Sequence, residues 1–231
     1  MNELVTLFPA LLLLGWFGFL ILIQPDLGTA FCVVLTGAVM LYVAGVRLKY
    51  FAALAVPAVV VLYAAVMTVP WRRVRVTSFI NPWSDPQGAG YQVIQSLIAV
   101  GTGGVTGVGV MEGRQKLFYL PYPYSDFIFA VIGEELGLLG LLALLAAYLF
   151  VVGRGIYMSL QCRDAFARLL AGSIALTFFV YACVNAGMVM GLLPVVGVPL
   201  PLVSYGGTSF VTLMAGFGIL MSLHSSRKLV G

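Results

Sequence analysis

Apolar residues run almost unbroken from 4 to 23, give way to Gln24-Pro25-Asp26-Leu27-Gly28, and resume from 28 to 46. Each run approaches the roughly twenty residues needed to cross a hydrocarbon core of about 30 Å, so the break reads as a tight turn between two helical spans. Arg47 and Lys49 close the second run, and a third extends over 50–69 with Pro57 as an expected kink. From 70 to 125 the pattern turns polar, basic and glycine-dense, the signature of a large loop outside the membrane. Within it, 90–100 (GYQVIQSLIAV) alternates polar and apolar positions at the spacing of a surface-lying amphipathic helix. Apolar runs return at 126–152, 165–190 and 204–223. The expected fold is therefore all-α, a polytopic transmembrane helical bundle of about six spans in a single membrane domain over 1–231.

Composition narrows the class further. Hydrophobic residues make up 61% and charged residues 9% of the 231-residue chain, a balance that a water-soluble domain does not tolerate. Continuous apolar runs also exclude a transmembrane barrel, whose strands alternate over about ten residues. Cys32, Cys162 and Cys183 show neither metal nor redox spacing and read as packing residues.

Basic residues orient the bundle. Arg47, Lys49, Arg154, Arg163, Arg168, Arg227 and Lys228 fall on one side, which the positive-inside rule makes cytoplasmic, and with it both termini. The large loop then lies outside, although it carries Arg72, Arg73, Arg75, Arg114 and Lys116 against Asp85 and Glu112. A basic loop on the outer face calls for an anionic partner, either lipid phosphates or a phosphorylated lipid substrate.

Only eight residues are acidic, and three of them, Asp126, Glu134 and Glu135, lie within ten positions at a membrane boundary. Ser125-Asp126 at a helix start has an ordinary capping explanation, since a hydroxyl satisfies orphan amides and an acid favours the positive end of the dipole. The surrounding Arg114, Lys116, Phe118, Tyr119, Tyr122 and Tyr124 equally suit a carboxylate acting as general base on a lipid-linked substrate. Glu134 and Glu135 read as deeper in the span, where an ionised carboxylate costs about 2.5–3.5 kcal/mol, so they must be paired, protonated or turned inward. Glycines at 101, 103, 104, 107, 109 and 113 permit tight turns and close backbone approach, but without a flanking strand they do not form a dinucleotide or P-loop fingerprint. Near the end, Pro194, Pro199 and Pro201 and the Ser204-Tyr205-Gly206-Gly207 run make a rigid connection, and Asn185 is an amide in need of a partner.

Five stretches taken together resemble the SEDS family (shape, elongation, division and sporulation), the RodA/FtsW-type peptidoglycan glycosyltransferases. They are QPDLGTA at 24–30, RRVRVTSFINPWSDPQGAGYQVIQS at 72–96, GVGVMEGRQKLFYLP at 107–121, SDFIFAVIGEELG at 125–137 and NAGMVMGLLPVVGVPLPLVSYGGTS at 185–209. The resemblance implies polymerisation of lipid II at the outer face of the bacterial inner membrane, with Asp126 as catalytic base and undecaprenyl pyrophosphate as leaving group. It implies substrate contacts from Arg72, Arg73, Arg114, Lys116, Gln92 and Gln95, and support from Glu134, Glu135, Asn185 and Ser204. The implied partner is a class B penicillin-binding protein transpeptidase, with no nucleic acid and no definite cofactor; a divalent cation could assist, but no ligand cluster announces one. Family members have about ten spans, so this chain is expected to be the C-terminal part of a larger bundle. A lipid-linked precursor flippase and a non-catalytic scaffold for the transpeptidase are the alternative expectations.

Overall fold

A computed structural model describes residues 3–24, 26–121 and 123–226. Tyr122, Arg227 and Lys228, counted above for the site and the orientation, lie outside the described residues, as do the side chains of Phe118 and Tyr119. The described residues form eight α-helices and no strand: α1 Glu3–Ile23, α2 Leu27–Val43, α3 Leu48–Met67, α4 Pro70–Ile80, α5 Tyr91–Gly103, α6 Ile128–Gln161, α7 Ala165–Val189 and α8 Gly207–Ser226. Four of them, α3, α6, α7 and α8, are long and apolar enough to cross a membrane; the apolar stretches Leu7–Ile23 and Leu27–Val43 of α1 and α2 are shorter. The protein is a multi-pass, all-helical membrane bundle.

Local chemistry sets the helix starts. Asp26 caps α2, accepting from the Thr29 amide at 2.9 Å and the Thr29 hydroxyl at 2.6 Å, and Asp164 caps α7 through the Ala167 amide at 3.0 Å. Pro70 opens α4, where its missing N–H is no loss. The core lies between α5, α6 and α7, with Phe129, Phe178 and Met188 fully buried. Tyr148, Phe178 and Phe217 stack in sequence across α6, α7 and α8, with ring centroids 5.3 and 5.5 Å apart.

The 70–125 stretch is more ordered than a loop. Besides α4 and α5 it contains a 3-10 turn, Pro82–Ser84, and a single π turn, Gln115–Tyr119. A helix, α5, appears where the pattern places one; it turns Val93, Ile94, Ser96 and Ala99 into the bundle and leaves Leu97 and Ile98 exposed. The Ser96 hydroxyl donates to the Val189 carbonyl at the end of α7 at 3.1 Å, which ties the outer helix to the spans beneath it.

The helix expected from 126 starts at Ile128 and continues for 34 residues. At 1.5 Å per residue that is about 51 Å, well beyond a hydrocarbon core of about 30 Å. The excess is set apart by a break at Gly137, whose φ of 67° no helix interior adopts. A helix interrupted there loses the bonds from the amides of 138 and 139 to the carbonyls of 134 and 135. The glycine-rich segment replaces them. Val108 and Gly109 amides donate to the Glu134 and Glu135 carbonyls at 3.0 and 3.1 Å, while Leu138 and Leu139 amides donate to the Gly104 and Val105 carbonyls at 2.9 and 3.1 Å. The part of α6 after the break, residues 138–161, is long enough to span by itself, and Glu134 and Glu135 lie on the short piece before it.

Candidate active site

Asp126 lies two residues before α6, on the segment that leads from the π turn into the helix. That segment is fastened at three successive residues, twice to the connection between α7 and α8 and once to α7 itself. The Tyr205 amide donates to the Tyr124 carbonyl at 2.8 Å, the Ser204 hydroxyl to the Ser125 carbonyl at 2.5 Å, and the Asn185 amide nitrogen to the Asp126 carbonyl at 2.8 Å. Asn185 is fully buried and also donates to the Val198 carbonyl at 2.7 Å; Ser204 accepts from the Leu200 amide at 2.7 Å. Tyr148 reaches from α6 to the Pro201 carbonyl at 2.7 Å. Three prolines and this set of bonds leave the connection little freedom, so the backbone of Asp126 is held from both sides.

The side chain of Asp126 is half-buried against Gly197, where a Cβ would come within 3.6 Å of Oδ2. That distance is ordinary contact; what favours glycine there is the backbone, since Gly197 has φ +72°. Burial pushes the Asp126 carboxyl above its ordinary range, partly offset by a hydrogen bond from the Ser125 side chain. A carboxylate raised in this way is a stronger base than a free one.

The two glutamates do different work, as adjacent helix positions about 100° apart should. Glu134 is 2% exposed, and its carboxylate accepts from the amides of Arg114 and Gln115 at 2.9 and 3.1 Å, capping the π turn. Glu135 pairs with the Lys116 ammonium at 2.6 Å. Both therefore brace the outer segment that leads to Asp126. Among the described residues no three His, Cys, Asp or Glu side chains converge as metal ligands.

The predicted substrate cations divide. Arg72 is turned inward, donating to the Ala65 carbonyl of α3 at 3.1 Å and the Leu22 carbonyl of α1 at 3.0 Å. Lys116 is committed to Glu135. Arg73 and Arg114 are exposed, and Gln95 is half-buried on α5. Gln92 lines a pocket of about 340 Å³ together with Arg75, Ser78, Tyr91, Pro121 and Val195. Arg75 and Tyr91 were not predicted site residues. Reading Pro70 as a helix start would have placed Arg75 and Ser78 one turn apart on a common face.

The cell cycle protein family of FtsW, RodA and SpoVE matches residues 1–229. The chain belongs to this family. It is 48% identical over 219 residues to the peptidoglycan glycosyltransferase MrdB of Escherichia coli K12, covering 91% of this chain and 58% of that protein. It is 42% identical over 220 residues to a probable peptidoglycan glycosyltransferase FtsW of Geobacter sulfurreducens, covering 95% and 59%. Stage V sporulation protein E of Bacillus subtilis is 42% identical over 204 residues, covering 88% and 56%. Among solved structures, a chain of a peptidoglycan synthase complex that coordinates polymerization and crosslinking superposes with a TM-score of 0.77 at 33% identity, covering 94% of this chain and 61% of that one. A point mutant of the rod shape determining protein RodA of Thermus thermophilus gives 0.67 at 26% identity, covering 98% and 59%. The chain thus spans about three-fifths of the length of the relatives it matches.

Proposed function

We propose that this chain carries the catalytic part of a peptidoglycan glycosyltransferase that polymerises lipid II. The observation that carries the reading is Asp126, a half-buried carboxylate of raised basicity whose backbone is fixed by Asn185 and whose neighbour is fixed by Ser204. In the proposed reaction Asp126 takes the proton from the acceptor sugar's 4-hydroxyl. The resulting oxygen attacks the anomeric carbon of the lipid-linked donor, a new C–O bond forms, and the bond to the phosphate oxygen breaks. Its electron pair leaves with undecaprenyl pyrophosphate, and the proton stays on Asp126. Arg73, Arg114, Gln92 and Gln95 remain available for substrate; Arg72 and Lys116 are spent on protein partners and support the site from behind. The chain lies in the bacterial inner membrane as six spans of a larger ten-span bundle, with both termini cytoplasmic and the 70–125 segment outside. A class B penicillin-binding protein is the proposed partner, in keeping with the synthase complex that this fold resembles.

The test uses a hybrid of the Escherichia coli relative in which this chain replaces the matching segment. With purified lipid II the hybrid makes glycan strands resolved on a gel, and Asp126→Asn lowers the rate about 10²–10⁴-fold. Undiminished polymer from the variant overturns the assignment. A flippase is the second reading, favoured by the interrupted helix at Gly137, since broken helices line transport sites. It requires lipid II to cross a vesicle bilayer without polymer.

A further inference from the structure

Of the cationic side chains that the sequence offers for substrate, Arg72 and Lys116 have protein partners and Arg73 and Arg114 are exposed; Arg75 is exposed as well, but it lines a cavity. Arg75 lies on α4, and its guanidinium is held 5.2 Å over the Trp71 ring. Among the described residues no carboxylate pairs with it, and it is the only charged side chain lining the pocket of about 340 Å³ beneath it. The remaining lining that matters is uncharged and polar: Ser78 one turn on, and Tyr91 and Gln92 at the start of α5. Pro121 and Val195 also line it, and each belongs to a segment that also holds the base. Pro121 begins the stretch that ends at Asp126, and Val195 is two residues from Gly197, hence within about 7 Å of it along the backbone. The pocket volume is that of a small-molecule site.

One unpaired cation beside hydroxyl, phenol and amide groups fits a ligand that is anionic at one end and rich in hydroxyls and amides at the other. We infer that this pocket seats the anionic, glycosyl part of the lipid-linked substrate beside Asp126, with Arg75 holding the anion and Tyr91, Gln92 and Ser78 the sugar's polar groups. The inference rests on the glycosyltransferase reading and transfers the anion contact from Arg72 and Lys116 to Arg75. Two sources supply such an anion: the phosphates of the lipid carrier, or a carboxylate carried by the glycan.

The hybrid protein tests it by two routes. In the polymerisation assay Arg75→Gln raises KM for lipid II about tenfold with kcat within about twofold, Arg75→Lys recovers part of the loss, and Arg163→Gln at the opposite end changes nothing. In detergent, independent of any turnover, inorganic pyrophosphate raises the unfolding temperature of the parent hybrid but not of Arg75→Gln if the phosphates are the source. A soluble muramyl peptide does so if the carboxylate is. Unchanged KM together with equal stabilisation of parent and variant by both probes overturns the pocket assignment. A hybrid that binds a probe through Arg75 but makes no polymer keeps the pocket and removes the glycosyltransferase reading.

Discussion

At the scale of single residues, Asp126 combines two opposing requirements. Its carboxyl is raised because burial disfavours the charge, and the Ser125 hydrogen bond only partly compensates. A base must be ionised, so polymerisation is lost on acidification as pH falls through this raised value, at a higher pH than an ordinary carboxylate near 3.9 would give. A rate profile whose acid limb sits at the ordinary carboxylate pKa contradicts the burial account. The stability sign is the reverse of a salt-bridged acid. A folded pKa above the unfolded one contributes stability below the unfolded pKa and loses it as pH rises through the folded value, so Asp126 is a cost once the pH is above that value. Asp126→Asn is accordingly expected to unfold at a higher temperature than the parent above that pH, with the difference closing in acid. Asn185 has the opposite role. Replacing it with alanine strips the donors from the buried carbonyls of Asp126 and Val198, costing about 1–3 kcal/mol per group left unsatisfied. Because the displaced backbone is that of the base, kcat should fall more than KM rises; a pure KM effect would mean that Asn185 does not position Asp126.

Among the elements, the break in α6 is the feature the sequence concealed. The run LGLLG reads as uninterrupted apolar helix, and nothing in its hydropathy marks Gly137 as different from Gly140. The difference is tertiary: at Gly137 the backbone of the 105–107 segment comes so close that a Cβ would lie 2.3 Å from the Gly107 nitrogen and 2.7 Å from the Val105 oxygen. The glycine density of 101–113 was legible as a demand for close approach, but what approaches is the broken helix and not a ligand. The inward turn of Arg72 was hidden for the same reason, because three arginines within four positions are equivalent until a helix gives them different faces. Asp126 stood out because an acid at the end of an apolar run is costly, and Asn185 because a buried amide needs partners. Gly137→Ala tests the clasp: with φ of 67° and no space, the loop is expelled and four hydrogen bonds are lost. A destabilisation above about 2 kcal/mol and rapid amide exchange over 104–109 are expected. Parental protection in that segment would show that the clasp contributes nothing.

Seen whole, the molecule has two unlike ends and an apolar middle. Side chains such as Val56 on α3 and Phe150 on α6, each 69% exposed, have no place in water, and α3 packs on α4 while presenting most of its apolar surface outward. Such a surface requires hydrocarbon or further helices around it. The two ends differ in chemistry. One carries α4, the Pro82–Ser84 turn, the clasped glycine loop and Asp126; the other carries Arg47, Lys49, Arg163 and Arg168 at or next to the helix junctions and Arg154 in the last third of α6. If the positive-inside bias orients the chain, the base faces outward, toward a substrate that must already have crossed the membrane. The native thiols give a direct measurement. Cys162 lies at the α6–α7 junction on the arginine side, Cys32 is buried, and Cys183 is exposed on the apolar flank of α7. In a Cys183→Ala background of the hybrid, with the remainder of the relative free of cysteine, a membrane-impermeant maleimide should leave Cys162 unlabelled in intact spheroplasts and label it after permeabilisation. Ser84→Cys, added on the exposed turn at the other end, should label in intact spheroplasts. The reverse pattern would place Asp126 on the cytoplasmic face, where the polymer could not be delivered to the wall, and the proposed function would fall with the topology.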